Sequence, residues 1–507
     1  MDSNSRHQDV ARLANGVLQP GFEGTTAPDW VRRRIAEGLN SVVLFGRNIV
    51  DPEQVTRLNE SLRAENPDLI IAIDEEAGDV TRLEAWSGSS RPGNLALGAV
   101  DDVELTEGVA YDIGSELRAV GVSLDYAPSA DVNSNPRNPV IGVRSFGADT
   151  DTVARHTAAW VRGLQRAGVA ACAKHFPGHG DTAVDSHHGL PRVGASAEEI
   201  AATALPPFTA AMEAGVRAVM TAHLLVPAYD PELPATLSRR ILQDLLRGEL
   251  GFDGLVVTDA IEMGAVTDLY GIDGATVRAV VSGVDAVCVG GEDARESTYD
   301  LLAGALVKAV QDGTLEYDRL AEAAERVRQF ATWSAERVRA AAASGTGPEP
   351  QIGLRAARRA VRVLAASGAD TVLPLADAPH VVELSPTMSL AIDGGTPWGV
   401  AAPLSELLPG TTSVRLTEQE LAGGDGLLER STLDAASGRS LVVVVRDAAR
   451  HAWMEQAVHR MLDSRPDAVV VEMGVPNGLA PGAVHVITHG ATKVSGVAAA
   501  EKLAGRP

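Results

Sequence analysis

Eight short apolar runs, each followed by enough chain for a helix, pattern the first part of this sequence. They are Gly16-Val17-Leu18, Ser41 to Phe45, Leu69 to Ile73, Val122 to Tyr126, Val169 to Ala173, Ala218 to Met220, Leu255 to Val257 and Ala286 to Val289. An unbroken apolar run of strand length has both faces buried, which is how strands of parallel sheets read. Eight of them, alternating with crossover lengths over roughly 300 residues, predict a (β/α)8 barrel of the TIM type. The run ends lead into Arg47, Asp74, Asp131, Lys174-His175, His223, Asp259 and Gly290-Gly291. In a parallel barrel the C-terminal strand ends converge on one mouth, where active sites are built.

A different organisation begins near residue 344. Asp318 to Ala343 reads as one Ala-rich helix, and Ser344-Gly345-Thr346-Gly347-Pro348-Glu349-Pro350 breaks it. We therefore expect a barrel domain over 1–343, a linker at 344–350 and a smaller α/β open-sheet sandwich over 351–507. Its strands are predicted at Val381–Leu384, Leu441–Val445, Ala468–Glu472 and Val484–Thr488. No phosphate loop or dinucleotide fingerprint occurs there, and no cofactor is expected.

Composition narrows the partners. A net charge of −23 argues against a nucleic-acid partner or an anionic membrane surface. The two cysteines, Cys172 and Cys288, sit inside apolar runs and read as buried packing thiols. The N-terminal residues lack a basic region followed by an apolar one, and no membrane span is visible, so a cytoplasmic location is expected. The sequence is silent on oligomeric state.

The densest chemistry lies at Lys174-His175-Phe176-Pro177-Gly178-His179-Gly180-Asp181-Thr182, continuing through Asp185-Ser186-His187 to Leu190-Pro191. Pro177, Gly178 and Gly180 exclude a helix, so these polar groups are expected on a loop after the fifth strand. Lys174 is one of only four lysines in the chain, and a compact ammonium donor suits sugar hydroxyls. Asp185 stands two residues from His187, close enough to fix its tautomer and raise its proton affinity. From the residues alone His187, His188, His179 or a carboxylate could serve as the acid. Asp259, ending the run Leu255-Val256-Val257-Thr258, could be a nucleophile, a base or a ligand, or could cap the following helix. The interruption by Pro177 and Gly178 removes the helical spacing of a zinc-protease motif, and no metal is expected.

The segment Lys174 to Pro191 closely resembles the KHFPGHGDTxxDSHxxLP signature of β-N-acetylglucosaminidases in glycoside hydrolase family 3. Further segments are similar to that family: Asp74-x-Glu76-x-Gly78 with Arg82, Ala127 to Val132, Arg144-Ser145-Phe146-Gly147, Met220 to His223, and Gly254 to Met263. The resemblance covers residues from about 15 to 340. It implies a retaining exo-acting β-N-acetylhexosaminidase with Asp259 as nucleophile and His187, oriented by Asp185, as acid/base. It further implies a sugar subsite of Asp74, Arg82, Arg144, Lys174, His175 and His223, with Asp131 supporting the loop. The expected partner is a small carbohydrate with terminal N-acetylglucosamine, of muropeptide or chitin type, and peptidoglycan recycling is the context that the family suggests.

Other readings stay open. One is a β-glucosidase or β-xylosidase of the same family, which the Asp185-Ser186-His187 element disfavours. A second is phosphorolysis, since an imidazole does not repel an anionic acceptor as a carboxylate would. Others are substrate assistance through Asp74-Glu75, and a non-catalytic sugar-binding protein on a barrel. The chain also departs from the family at Ala77-Gly78-Asp79, where Gly-Gly-Arg is usual. If the first of those positions requires positive φ, Ala77 is strained, and Asp79 places an anion where the family carries a cation.

Overall fold

The computed structural model describes residues 3–506 other than 184–188, 344–346, 348, 366–371, 389–391, 393, 424, 425 and 477–481. The chain divides into two compact units. The first comprises 1–76, 106–138 and 148–349; the second comprises 77–105, 139–147 and 350–507.

The first unit is a curled parallel sheet ringed by helices. Its strands are β1 (Leu18–Pro20), β2 (Ser41–Leu44), β3 (Ile70–Ile73), β4 (Leu124–Asp125), β5 (Ala170–Phe176), β6 (Ala218–Thr221), β7 (Leu255–Thr258) and β8 (Val287–Val289). Strands β2 to β7 pair in chain order, all parallel. Strand β8 pairs with β1 in parallel, Leu18 opposite Val287, and a bridge from Val257 to Ala286 joins the β7 end to the β8 end. Each of the eight runs read from the sequence overlaps one of these strands, the first only at Leu18. Closure brings backbones close together: a Cβ on Gly290, whose φ is +108°, would lie 2.6 Å from the Gly21 amide nitrogen, so only glycine fits there.

Alternation along the strands separates an inner from an outer layer. Ile70, Ala72, Leu124, Tyr126, Ala170, Cys172, Ala218, Met220, Leu255 and Val257 form one buried cluster, joined by Val327, Phe330 and Ala331 of the helix Tyr317–Ala343. Phe330 and Trp333 of that helix line one hollow with Arg217, Gly254 and Leu255, which sit where β6 and β7 begin. The helix thus covers the N-terminal strand ends. Both cysteines are free and buried, as expected for packing thiols, and burial pushes both thiols well above the usual range. Asp285, fully buried, accepts from Arg247, Arg319 and Arg326 at 2.6, 2.8 and 3.2 Å. A buried carboxylate needs such partners to offset lost hydration.

The second unit is an open sheet built from β9 (Arg362–Ala365), β10 (His380–Ser385), β11 (Thr412–Thr417), β12 (Leu441–Val445), β13 (Val469–Glu472) and β14 (Val484–Ile487). Their order is β9-β14-β13-β12-β10-β11, with β9 alone antiparallel. The run Leu-Val-Val-Val-Val of β12 shows why it is central. Val442 and Val444 join a cluster with Val494, Ala498 and Leu404, while Val443 and Val445 join another with Met454, Val458 and Met461. Both faces are buried under helices, so alternation disappears from the sequence.

Segment 77–105 of this unit carries the departures noted above. Ala77 has φ +58° and is fully buried, so the left-handed conformation is adopted by a residue with a Cβ. Asp79 is also buried, and its carboxylate is paired with the Arg446 guanidinium. Burial drives the Asp79 carboxyl upward while Arg446 pulls it back. Replacing Ala77 with glycine removes the left-handed penalty of about 1–2 kcal/mol against a glycine entropy cost of about 0.5–1 kcal/mol. Ala77→Gly is therefore expected to raise stability by up to about 1 kcal/mol. Chemical denaturation of the two proteins checks this, and an unchanged or lower midpoint would contradict the strain.

Candidate active site

Strand β5 runs on through Lys174-His175-Phe176 and stops only at Pro177. The first two polar groups of the motif therefore stand on the strand itself, and the loop starts three residues later than the sequence suggested. Proline and glycine end the strand; lysine and histidine do not, when each has a buried partner. The Lys174–His175 and Phe176–Pro177 peptide bonds are cis.

Lys174 is almost sealed from solvent, its side chain 2% exposed. Its Nζ lies 2.5 Å from Asp74 Oδ1 and 2.6 Å from Glu76 Oε1. Both acids follow β3, so the ammonium reaches across the end of β4. There Asp125, fully buried, accepts the Glu75 N–H at 2.9 Å. Burial raises the Asp125 carboxyl well above its ordinary value. Glu76 belongs to the matched Asp-x-Glu motif, but its pairing with Lys174 had no local signal in the sequence. Glu75, considered as a partner of Asp74, has its own N–H engaged by Asp125.

Asp131 organises the next part. Its Oδ2 lies 2.7 Å from His175 Nδ1 and accepts from Ser129 Oγ at 3.0 Å. Its Oδ1 accepts the His179 N–H at 2.6 Å and the His175 N–H at 3.3 Å. Burial alone would raise this carboxyl; His175 and His179 outweigh it and hold the carboxyl below its ordinary value. Because Asp131 accepts at Nδ1, that nitrogen carries hydrogen and His175 Nε2 is left to face elsewhere. The loop beyond folds tightly: a Cβ on Gly180 would lie 1.7 Å from the Val132 carbonyl oxygen, so the glycine of the motif is a steric requirement. His179 Nδ1 meets Thr182 Oγ1 at 2.7 Å.

Asp259 follows β7 directly. Its N–H donates to the Thr221 carbonyl at 3.3 Å, and its Oδ1 accepts the Ala260 N–H at 2.8 Å. Beside it His223, after β6, sets Nε2 3.0 Å from the Ala260 carbonyl and Nδ1 2.8 Å from Thr236 Oγ1. A carbonyl only accepts, so Nε2 carries hydrogen. The ring thus holds the backbone next to Asp259. Thr236, whose hydroxyl also lies 3.0 Å from the Ala222 carbonyl, was not anticipated from the sequence.

The barrel's strand ends therefore bring Asp74, Lys174, His175, His223 and Asp259 to one mouth. Arg82 and Arg144 belong to the second unit, where Arg144 donates to the Val140 carbonyl at 3.2 Å. Asp185 and His187 lie outside the described residues. Arg47, the first strand-end cation, donates to the Phe22, Gly290 and Gly291 carbonyls and ties the barrel seam. Among the described residues no three His, Cys, Asp or Glu side chains are grouped to hold a metal, and no helix is long and apolar enough to cross a membrane.

Comparison with known proteins gives a consistent result. The glycosyl hydrolase family 3 N terminal domain matches residues 26–330. Beta-hexosaminidase A of Pseudoalteromonas piscicida is 34% identical over 387 residues, covering 71% of this chain and 64% of that protein. Beta-hexosaminidase of Pseudomonas aeruginosa (strain LESB58) is 39% identical over 254 residues, 49% of this chain and 73% of its own. This chain thus spans less than two thirds of the first of these relatives. Among solved structures, a glycoside hydrolase family 3 beta-N-acetylglucosaminidase from Paenibacillus sp. str. FPU-7 superposes with a TM-score of 0.85. It is 34% identical and covers 98% of this chain and 96% of that one.

Asp131 supplies the test of this architecture. In Asp131→Asn an amide N–H would confront the His175 Nδ1–H and the Ser129 hydroxyl, so stability should fall by about 3 kcal/mol at pH 7. The sign with pH follows from its depressed pKa. The contribution is complete above the unfolded value of about 4 and is lost as pH falls through the lower folded value. The gap between the two proteins should therefore close below about pH 4. Denaturation midpoints from pH 3 to 7 check it; a gap independent of pH would contradict the assignment.

Proposed function

Since this chain belongs to glycosyl hydrolase family 3, we propose that it is a retaining exo-β-N-acetylglucosaminidase. It would release terminal N-acetylglucosamine from muropeptide-type or chitin-type oligosaccharides inside the cell. The observation that carries this reading is the complete Lys174 to Pro191 signature, whose Lys174 and His175 stand at the same barrel mouth as Asp259. The names of the relatives support the acetamido sugar as the substrate class.

In the proposed reaction the Asp259 carboxylate attacks the anomeric carbon while His187 protonates the departing glycosidic oxygen. A covalent glycosyl ester on Asp259 results. Water, deprotonated by His187, then displaces the carboxylate and returns the β-anomer, so configuration is retained. Asp185 holds the His187 ring and stabilises its protonated form. Asp74, Lys174 and His175 bind sugar hydroxyls, joined by His223 and by Arg82 and Arg144. Carboxylates outnumber cations among Asp74, Glu76, Lys174 and Asp259, and that excess favours the positive charge that develops on the sugar ring.

A histidine acid/base leaves room for phosphate as acceptor, with release of a sugar 1-phosphate. Both outcomes are read in one experiment. Nitrophenyl β-N-acetylglucosaminide should be cleaved well ahead of the β-glucoside. Activity should fall about 10³-fold or more in Asp259→Ala and about 10²–10⁴-fold in His187→Ala. Free sugar as the sole product at high phosphate identifies a hydrolase, and a sugar phosphate identifies a phosphorylase. Preference for the glucoside would move the enzyme to the β-glucosidase reading. Turnover unaffected by Asp259→Ala would leave a sugar-binding protein.

A further inference from the structure

Gly290-Gly291 ends the eighth apolar run and takes no part in the proposed reaction, yet the barrel grips it from both sides. The Gly290 and Glu292 N–H groups donate to a single oxygen, Glu262 Oε1, at 2.8 and 3.0 Å. The Gly290 and Gly291 carbonyls accept from the Arg47 guanidinium, the second at 2.9 Å. A carboxyl group from the loop after β7 thus holds the N–H side of the segment, while a guanidinium from the turn after β2 holds its carbonyl side. Backbone N–H groups that converge in this way suit an acidic oxygen. The glycines make it possible: Gly290 has φ +108°, and a Cβ on Gly291 would lie 3.2 Å from Glu262 Oε1.

The grip falls where the strand ladders change over. Strands β2 to β7 form one run, and β8 with β1 forms another. Strands β7 and β8 meet at the Val257–Ala286 bridge. Beyond it the Cys288 N–H donates to Thr258 Oγ1 at 3.0 Å and the Ile261 N–H to the Cys288 carbonyl at 2.9 Å. Asp259 lies in sequence between those two contacts, so its aim depends on how residues 258–262 seat on β8. Glu262 closes that stretch through its two hydrogen bonds to the β8 end. Its other oxygen, Oε2, is buried without a hydrogen-bond partner among the described residues. Burial raises the Glu262 carboxyl, and the Glu292, Gly290 and Gly291 N–H groups oppose the shift.

We propose that Glu262 is a positioning residue for Asp259: by holding the Gly290 and Glu292 amides it fixes the loop that carries Asp259 against the end of β8. Glu262 touches no substrate in this role and acts through the backbone on either side of the β7–β8 junction. The proposal rests on the glycosidase reading, in which Asp259 is the nucleophile. It also gives the glycine pair a purpose, since its two peptide groups are gripped by Glu262 on one edge and by Arg47 on the other.

The test compares the full chain with Glu262→Ala and Glu262→Gln, using nitrophenyl β-N-acetylglucosaminide kinetics, amide hydrogen exchange and melting temperature. In Glu262→Ala both amides lose their acceptor, and kcat should fall about 10- to 100-fold, the scale of a misplaced reacting group. KM should stay within about 3-fold, because the sugar contacts of Asp74, Lys174 and His175 remain. Glu262→Gln keeps an acceptor oxygen in place, and its NH2 takes the position of the unpartnered Oε2. Its kcat should therefore lie within about 3-fold of the wild type even though its melting temperature falls. A loss in Glu262→Gln as large as in Glu262→Ala would assign the effect to the group's charge and overturn the proposal. So would a lowered melting temperature in both variants with kcat unchanged at a temperature where both are folded. In Glu262→Ala, exchange at the Ala260 and Ile261 amides should quicken together with that at Gly290 and Glu292. The exchange arm is read even if no acetylglucosaminide is cleaved, so failure of the glycosidase reading is distinguishable from failure of this one. Quickened exchange confined to Gly290 and Glu292 would break the link to the Asp259 loop and overturn the proposal.

Discussion

A buried ammonium group sets the terms for the barrel mouth. Lys174 has its side chain 2% exposed, and removing such an ion from water costs several kcal/mol unless partners are in place. Asp74 and Glu76 provide them at 2.5 and 2.6 Å. Because the three residues come from β5 and the end of β3, the contact fixes two strand ends that do not adjoin. It also decides where the strand stops. A lysine at a strand terminus would normally turn toward solvent; here its partners lie inward, so β5 extends through His175 to Phe176. His175 is then delivered to Asp131, and Asp131 in turn anchors the loop through the His179 N–H.

The same clamp shapes the electrostatics. One cation shared by two carboxylates leaves a negative balance, and Asp259 at the end of β7 adds to it. Burial raises the Asp125 carboxyl well above its ordinary value and so disfavours a further negative charge there. A site with this balance suits a reaction in which the substrate gains positive charge, and its groups are held before the substrate arrives. His223 serves the same end by different means. Its two ring nitrogens are occupied by Thr236 and the Ala260 carbonyl, so the ring braces the backbone beside Asp259 as well as standing at the mouth.

What could be read from the sequence follows from which physical signals are local. The eight inner strands were legible because each is buried on both faces, and burial writes a continuous apolar run. In the second unit β10, β12, β13 and β14 were legible for the same reason. Strands β9 and β11 were not: Arg362–Ala365 is exposed throughout, and most of Thr412–Thr417 is too. Each lies at a sheet edge; Thr412–Thr417 is largely polar, while Arg362–Ala365 is a short apolar run that stays exposed. At the site, Lys174, His175 and Asp259 announced themselves by residue type at strand ends. Thr236, and the pairing of Glu76 with Lys174, became visible only once the strands were assembled. The association of segments 77–105 and 139–147 with the second unit likewise arises from contacts distant in sequence.

Residues 77 and 79 show how a local departure should be weighed. Read alone, Asp79 puts an anion into a sugar-binding loop and Ala77 puts a side chain where glycine is usual. The structure supports half of that concern. Ala77 does adopt positive φ, a cost of about 1–2 kcal/mol that a stable fold absorbs. Asp79 is instead neutralised by Arg446, far along the chain, and neither group is left as an unpaired buried charge. Such a pair adds little net stability against an apolar substitute, but losing either member leaves an ion stranded. Asp79 and Arg446 therefore have to be read as one feature, a buried ion pair within the second unit.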